Sequence, residues 1–472
     1  MKKKTKENKL SKKQEYIIYS VVLILFLTLS IIISLKHEYW ADEANAWLIA
    51  GDSSIFDLFT KFLHTDGHPA LFHLIIKTFQ LFGLSYDNFR IIALIFSTLG
   101  VAFFLFKSNY KWYIKVLLPF TYYIFYQYTV ITRGYCLVLL LLGLIAYLWE
   151  KKKEKCVLFT TLVILLLSLE AFTFFIAGSI YIIYIIDYIK DYLKTKKHNK
   201  KLLICLITIF FAFLLTTLYV MPRSDNTFVT PLIMYFISNS FITTFHSPFV
   251  LKIVLTILMV FIIMYLIQIQ KDKLLEAGIL ILPLLLFMMF GYSNYWHNGL
   301  FFVLLLFIGW IHNYHKIKFF NIFIVIVCLI QIPWSISSSI YEYKESYSPA
   351  EEVADFIKQY DYKNMKIYGL EFYESAINAY FDENIFYNWN KDLRFFWWSK
   401  KSDFYNYNIN PKTMINENVD MIIVTPTYME YDRDTLIEHY DEYIFRGCTY
   451  FQTARYELMD TYVYVKKDNQ LD

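Results

Sequence analysis

The chain has 472 residues, of which 57% are hydrophobic, 20% aromatic and only 18% charged, too apolar for a stack of soluble domains, whose charged fraction is roughly 25%. The formal net charge of +4 is small for this length and the basic residues fall in short scattered clusters, so no stripe that would track nucleic-acid phosphates is present and no nucleic-acid partner is expected. Of the five cysteines, Cys136, Cys156, Cys205 and Cys328 lie in or beside apolar runs and Cys448 is alone in a polar tail, which makes neither a disulfide framework nor a Cys-based zinc site.

In chain order, a basic leader (1–13) is followed by YIIYSVVLILFLTLSIIISL, long enough to span the ~30 Å hydrocarbon core. No small-residue cleavage site follows it and more apolar runs come later, so it reads as a signal anchor. Further runs lie near 89–106, 114–129, 135–149, 156–169, 171–187, 202–221, 249–268, 274–291, 299–311 and 319–339. The expected fold is therefore a polytopic α-helical membrane protein with about eleven transmembrane helices across 14–340. Lysines collect in the leader, at Lys107, Lys111 and Lys115, in KKKEK at 151–155, near 194–201, at Lys271 and Lys273, and at Lys316 and Lys318. An eleven-span path puts all of these groups on one side, which the positive-inside rule makes cytoplasmic. The expected localisation is the cell membrane, with the N-terminus inside and the C-terminus outside.

Two outer segments exceed the length of a turn. In the first loop (36–88), Ile55, Leu58, Phe59, Phe62 and Leu63 recur at helical spacing, as in a helix lying in the membrane interface, with Asp52 and Ser53 placed to cap it. The tail (341–472) alternates helix-like pieces (SPAEEVADFIKQY, YESAINAYF, DTLIEHY) with strand-like ones (KIYGL, VDMIIVTP, YIFRGCTY, TYVYVKK). That alternation predicts a C-terminal extracytoplasmic α/β domain. It carries no GxGxxG, P-loop or GxSxG, so no chemistry is assigned to it.

Ionisable groups at membrane depth are costly and usually serve a site. The region 14–340 holds only three arginines, Arg90, Arg133 and Arg223, and the expected topology puts all three outside, against the lysine bias. Guanidinium binds phosphate oxygens bidentately and keeps its charge when partly desolvated, so an outward phosphate ligand is inferred. The plainer alternative is that each arginine pairs with a nearby carboxylate to hold a loop, and Arg90 in YDNFRII has Asp87 beside it for that purpose. The strongest acidic feature is Asp42-Glu43 in EYWADEANAWL. Adjacent carboxylates on a helical start point about 100° apart, so one can face a pocket while the other orients a partner or metal. Taken alone, such a pair more often caps a first helical turn. A second cluster follows at His64-Thr65-Asp66-Gly67-His68-Pro69, where Gly67 and Pro69 make a turn that presents Asp66 and His68.

These pieces, Asp-Glu in a first outer loop, then DGHPALFHLIIK, then LFGLSYDNFRIIALIFSTLG, resemble the protein O-mannosyltransferase and aminoarabinose-transferase type of membrane glycosyltransferase, the GT-C superfamily. YQYTVITRGYCLVLLLL is similar to that family's Arg-x-Tyr-x-Leu segment, with Arg133 and Tyr135 at the matching positions, and NYWHNGLFFVLLL resembles its late outer loop. The resemblance covers roughly 38–145 well and 146–340 loosely. A departure is SLEAFTFF, where many relatives show a His- or Lys-containing turn; Glu170 is there either a second acidic site residue or an interfacial carboxylate paired with an arginine.

The resemblance implies transfer of a sugar from a polyprenyl-phosphate donor to an acceptor on the outer face, with inversion. By the family motif Asp42 would be the base, with Glu43 its catalytic partner. Arg133 and Arg223, with His297 as a further donor, would bind the donor phosphate, and Asp66, His68, Tyr135 and Glu170 would serve the acceptor or support the site. Glu43, His68 and His297 are ligand types that suit zinc or another divalent ion. A hydrogen-bonded interfacial role for each histidine is the alternative, and His37 and His73 are expected to lie outside the site. Trp40, Trp47, Tyr292, Tyr295 and Trp296 lie on the same outer side, either as interfacial anchors or as faces that stack on sugar or prenyl groups. The other partners are membrane lipids and a glycan, lipid or protein acceptor whose identity the sequence leaves open. A transporter or flippase of lipid-linked glycans would also want outward arginines, but should carry polar residues at mid-membrane depth, which runs such as VVLILFLTLSIII lack. A polymerase or ligase would share the topology.

Overall fold

The computed structural model describes residues 11–225, 273–290, 295–407, 409–426, 431–450, 456–458 and 460–467. The expected run at 249–268, Lys271 and Tyr292 lie outside the described residues, and of Tyr295 only the backbone is described.

Among the described residues most of the apolar runs become helices, and six are long and apolar enough to cross a membrane: Lys12–Ser34 (α1), Tyr86–Lys107, Gly134–Lys151, Ala171–Thr195, Lys200–Val220 and Lys318–Lys344. The first begins at Ser11, whose hydroxyl accepts from Gln14 N while the Gln14 side chain returns to the Ser11 backbone, closing a capping box that satisfies two otherwise orphaned donors. Shorter apolar helices include Leu71–Leu81, Cys156–Leu167 and Asn298–Ile311; Cys156–Leu167 packs against Gly134–Lys151, Ala171–Thr195 and Lys200–Val220, and Leu71–Leu81 against Ala41–Asp52. The four thiols Cys136, Cys156, Cys205 and Cys328 are free and buried, serving as small apolar side chains. The chain is a helical membrane protein.

The run expected at 114–129 is not one helix. Trp112–Leu117 is α-helical, Leu118–Phe120 tightens around Pro119, Thr121 is extended, and Tyr122–Val130 forms a π-helix. Proline removes a backbone donor and collides with the preceding turn, which explains the break. The wider turn that follows is held by its tyrosines: Tyr128 Oη donates to the Trp296 carbonyl at 2.9 Å, Tyr126 Oη to Glu342, and Tyr122 stacks on Trp334 with ring centroids 3.3 Å apart.

The helix ends sort into two sets. Contacts of Arg133 with Asp42, His68 with Glu170 and His37 with Glu342 bring together the starts of Gly134–Lys151 and Ala171–Thr195 and the ends of α1 and Lys318–Lys344. The lysine-rich turns terminate the other ends, where Lys152 and Lys153 pair with Asp187 and Asp191.

Between α1 and Tyr86 the chain forms Ala41–Asp52 (α2) and then the interfacial segment. That segment is α-helical at Ile55–Asp57, π-helical at Leu58–Phe62 and α-helical again at Leu63–Asp66. Leu58, Phe62 and Leu63 are buried, whereas Ile55 is exposed. The cap is Ser54, which accepts from Asp57 N, and not Asp52 or Ser53. Asp52 instead receives the guanidinium of Arg394 from the tail, with Nη2 to Oδ1 at 2.6 Å and Nε to Oδ1 at 3.1 Å.

In the tail, Ile367–Gly369 (β1), Met421–Val424 (β2), Tyr440–Phe445 (β3), Cys448–Tyr450 (β4), Tyr456–Leu458 (β5) and Thr461–Lys466 (β6) are strands. A mixed sheet has the order β1-β2-β6-β3, with β1 parallel to β2 and β6 antiparallel to both β2 and β3, while β4 and β5 pair separately. All four residues of β2 are buried. The apolar core runs without interruption from the long helices into Ile357, Ile367, Phe386 and Val463, so the sheet sits directly on the end of the bundle that gathers Asp42, Arg133 and Glu170.

Candidate functional site

Asp42 stands in the first turn of α2, where a carboxylate is favoured by the helix dipole. Arg133 is the extended residue between the π-helix and Gly134–Lys151, and its guanidinium Nη1 pairs with Asp42 Oδ2. Both side chains retain partial exposure, 12% for Arg133 and 26% for Asp42, so the pair is reachable from the surface.

A second pair lies alongside. Leu63–Asp66 ends at Gly67 in the left-handed region (φ 77°), which glycine adopts without strain, and the chain reverses to present His68. Leu71 N donates to the Ser168 carbonyl at 2.8 Å, tying this turn to the corner that carries Glu170. His68 Nδ1 then meets Glu170 Oε2 at 2.7 Å. Burial works against charge on His68, but Glu170 and Asp66 outweigh it and raise its pKa to about 9. Burial likewise opposes charge on Glu170, yet His68, Arg133 and His73 together hold its pKa below the usual value. Glu170 is thus a charged carboxylate whose ion-pair partner is a histidine, with the Arg133 charge acting on it from nearby. Gly134 makes this approach possible, because a Cβ there would overlap the Glu170 carboxylate.

Tyr135 lies under the Arg133 guanidinium, 5.8 Å from atom to ring centroid, and faces His297 at 5.9 Å. His297 stacks on Phe172 at 3.8 Å; burial first, then the charges of Arg133 and His68, keep its pKa well below the ordinary value, so it is a neutral imidazole at physiological pH. His73, expected to lie outside the site, belongs to this cluster: its Nε2 is 3.4 Å from Asp66 Oδ2. The structure therefore brings Asp42, Asp66, His68, Arg133, Tyr135, Glu170 and His297 to one end of the bundle.

Arg223 is placed apart. Its Nη1 donates to the Thr60 carbonyl at 3.1 Å, and its charge bears on His64, which also faces Asp225. Arg90 is structural, though not through the Asp87 carboxylate: it donates to the Tyr39 hydroxyl and to the carbonyls of Asp87 and Ser34. Trp47 packs on Tyr86 and Phe89 as core, whereas Trp40 sets its edge against Trp296 and Tyr347 near the site.

The three expected metal ligands have separate commitments. Glu43 Oε2 meets His37 Nε2 at 2.9 Å and accepts from Trp40 N at 3.2 Å, while Oε1 accepts from Thr132 N at 2.6 Å. His68 is held by Glu170, and His297 lies flat on Phe172. Among the described residues no three His, Cys, Asp or Glu side chains gather as a metal would require. Glu43, His68 and His297 as placed do not fit a single ion.

His37, expected to lie outside the site, is bonded to one of its expected residues, Glu43. It is completely buried between Glu43 and Glu342, with Nδ1 3.0 Å from Glu342 Oε1. Burial disfavours its charge, but the two carboxylates outweigh burial and raise its pKa to about 10 from 6.5. A histidine whose folded value is raised contributes its full stabilisation below the unfolded value and loses it as pH climbs through the folded one. The unfolding midpoint of the purified protein should therefore fall as pH rises from about 7 to about 10, and His37→Gln should flatten that slope; differential scanning fluorimetry at stepped pH measures both.

No protein-family model matches the chain, and comparison with curated proteins found no match.

Proposed function

We propose that this membrane protein is a glycosyltransferase that moves a sugar from a polyprenyl-phosphate donor to an acceptor on the extracytoplasmic face, with inversion. The observation that carries this reading is the Asp42–Arg133 pair, flanked by His68–Glu170, at the end of the bundle opposite the lysine turns. Positive-inside sorting makes the lysine end cytoplasmic. The reading takes the chain as crossing the membrane about eleven times, with the N-terminus inside and residues 341–472 as an outer α/β domain.

In this reading the donor phosphate competes with Asp42 for the Arg133 guanidinium, so donor binding frees the carboxylate. Asp42 then takes the proton of an acceptor hydroxyl as its oxygen bonds to the anomeric carbon from the face opposite the phosphate. The bond from that carbon to the phosphate oxygen breaks, and the lipid phosphate leaves with its gained charge against Arg133, already in place and needing no reorganisation. Glu170 and His68 hold the wall beside the guanidinium, and Tyr135 supports its face.

Mass spectrometry of surface glycans, glycolipids and glycoproteins from cells with and without the gene tests the reading. One sugar should be missing from one class of product when the gene is absent. Identical profiles, or export of an intact glycan lost in place of a sugar addition, would count against it.

A further inference from the structure

The Asp42–Arg133 pair joins two segments 91 residues apart, and both of its members have a neighbour in one buried network. Glu43, next to Asp42, accepts from the backbone N of Thr132, next to Arg133, at 2.6 Å. That bond fixes α2 against the loop 131–134 one residue away from the pair on each side. Glu43 is held in turn by His37, His37 by Glu342 near the end of Lys318–Lys344, and Glu342 by the Tyr126 hydroxyl of the π-helix. The side chains of His37, Glu43 and Glu342 have no solvent exposure, so they touch no substrate, and their mutual distances are those of charge-assisted hydrogen bonds.

We propose that His37, clasped between Glu43 and Glu342, is a positioning residue that sets the Arg133 guanidinium where it meets the donor phosphate. This rests on the functional reading above and deepens it. Without His37, Glu43 and Glu342 are two buried carboxylates facing each other without a cation between them. Their repulsion turns Glu43 away, and the Thr132 backbone loses its fixed acceptor. A guanidinium on a long side chain binds phosphate well only when its fork is aimed beforehand, because aiming it on binding costs rotamer entropy.

The test uses the full chain in nanodiscs titrated with a long-chain polyprenyl phosphate, the part common to all such donors, with affinity read from tryptophan fluorescence and fold from the thermal midpoint. His37→Ala should weaken binding about tenfold, and His37→Gln, whose amide restores a donor to Glu43, should recover most of that loss. Arg133→Ala should weaken binding more strongly, and the double variant should be no weaker than Arg133→Ala alone, since His37 acts only through Arg133. Losses that add in the double variant, or a lowered midpoint with wild-type affinity, would show that His37 only stabilises the fold. If His37→Ala does not fold, the same cycle run with Glu342→Gln, which releases His37 on the side away from Glu43, decides by the same additivity criterion. Absence of binding by the wild type would overturn the functional reading and this inference together, whereas wild-type binding with additive losses would overturn the inference alone.

Discussion

Replacing Asp42 by Asn is expected to lower sugar transfer by about 10³-fold, within the range that a positioned general base supplies. The amide keeps the shape of the carboxylate and can still accept from Arg133, so α2 and the loop around Thr132 should hold their places. What is lost is the capacity to take a proton. Membranes supplied with lipid-linked sugar labelled in the sugar measure the effect. Polyprenyl-phosphate affinity should rise slightly in this variant, because Asp42 no longer competes as an anion for the guanidinium. Transfer at the wild-type rate would remove Asp42 from the role of base.

Arg133→Lys should be nearly as damaging, lowering kcat/KM for the donor by about 10²-fold. Lysine conserves the charge but not the planar fork, and a point charge on a flexible stem cannot hold two phosphate oxygens together. It also loses the stacking contact with Tyr135. The loss should appear in both kcat and KM, since the same group holds the phosphate before and after the sugar departs. Arg223→Lys is the matched control: Arg223 donates to the Thr60 carbonyl and lies outside the cluster, so its replacement should leave donor kinetics within about twofold. Equal losses in the two variants would mean that the phosphate is held near Arg223 as well.

These two arginines mark the limit of what the sequence can say about the site. Hydropathy places a residue along the axis of a helix, so Asp42, Arg133, Glu170 and His297 could all be assigned to the same end of the bundle. It says nothing about which helices are neighbours around that bundle. Arg133 and Arg223 have equivalent axial positions, and only the packed structure separates the one facing Asp42 from the one facing Thr60. The bonds of His37 are hidden for the same reason. Beside a first span it looks like an interfacial side chain, and its partner Glu342 is 305 residues away. The contact of Arg394 with Asp52 spans 342 residues and is equally illegible, since Asp52 alone reads as a cap for the helix that follows it. The break near 120 was available in Pro119, but the long apolar run around it suggested a single helix. The helical runs themselves were plain, because period and apolarity are local properties.

The π-helix Tyr122–Val130 has a consequence for how the protein is made. All nine of its residues are buried, and they include four tyrosines, a glutamine and a threonine, too polar for a short segment to partition into lipid unaided. Tyr122 and Thr129 find acceptors within the segment, but those of the Tyr128 and Tyr126 hydroxyls, the Trp296 carbonyl and Glu342, lie 168 and 216 residues further along the chain. When the ribosome delivers this segment to the membrane, neither acceptor has been synthesised. Its seating is therefore completed only after the last long helix has been translated, and a nascent chain cut short before residue 342 leaves the segment without that anchor.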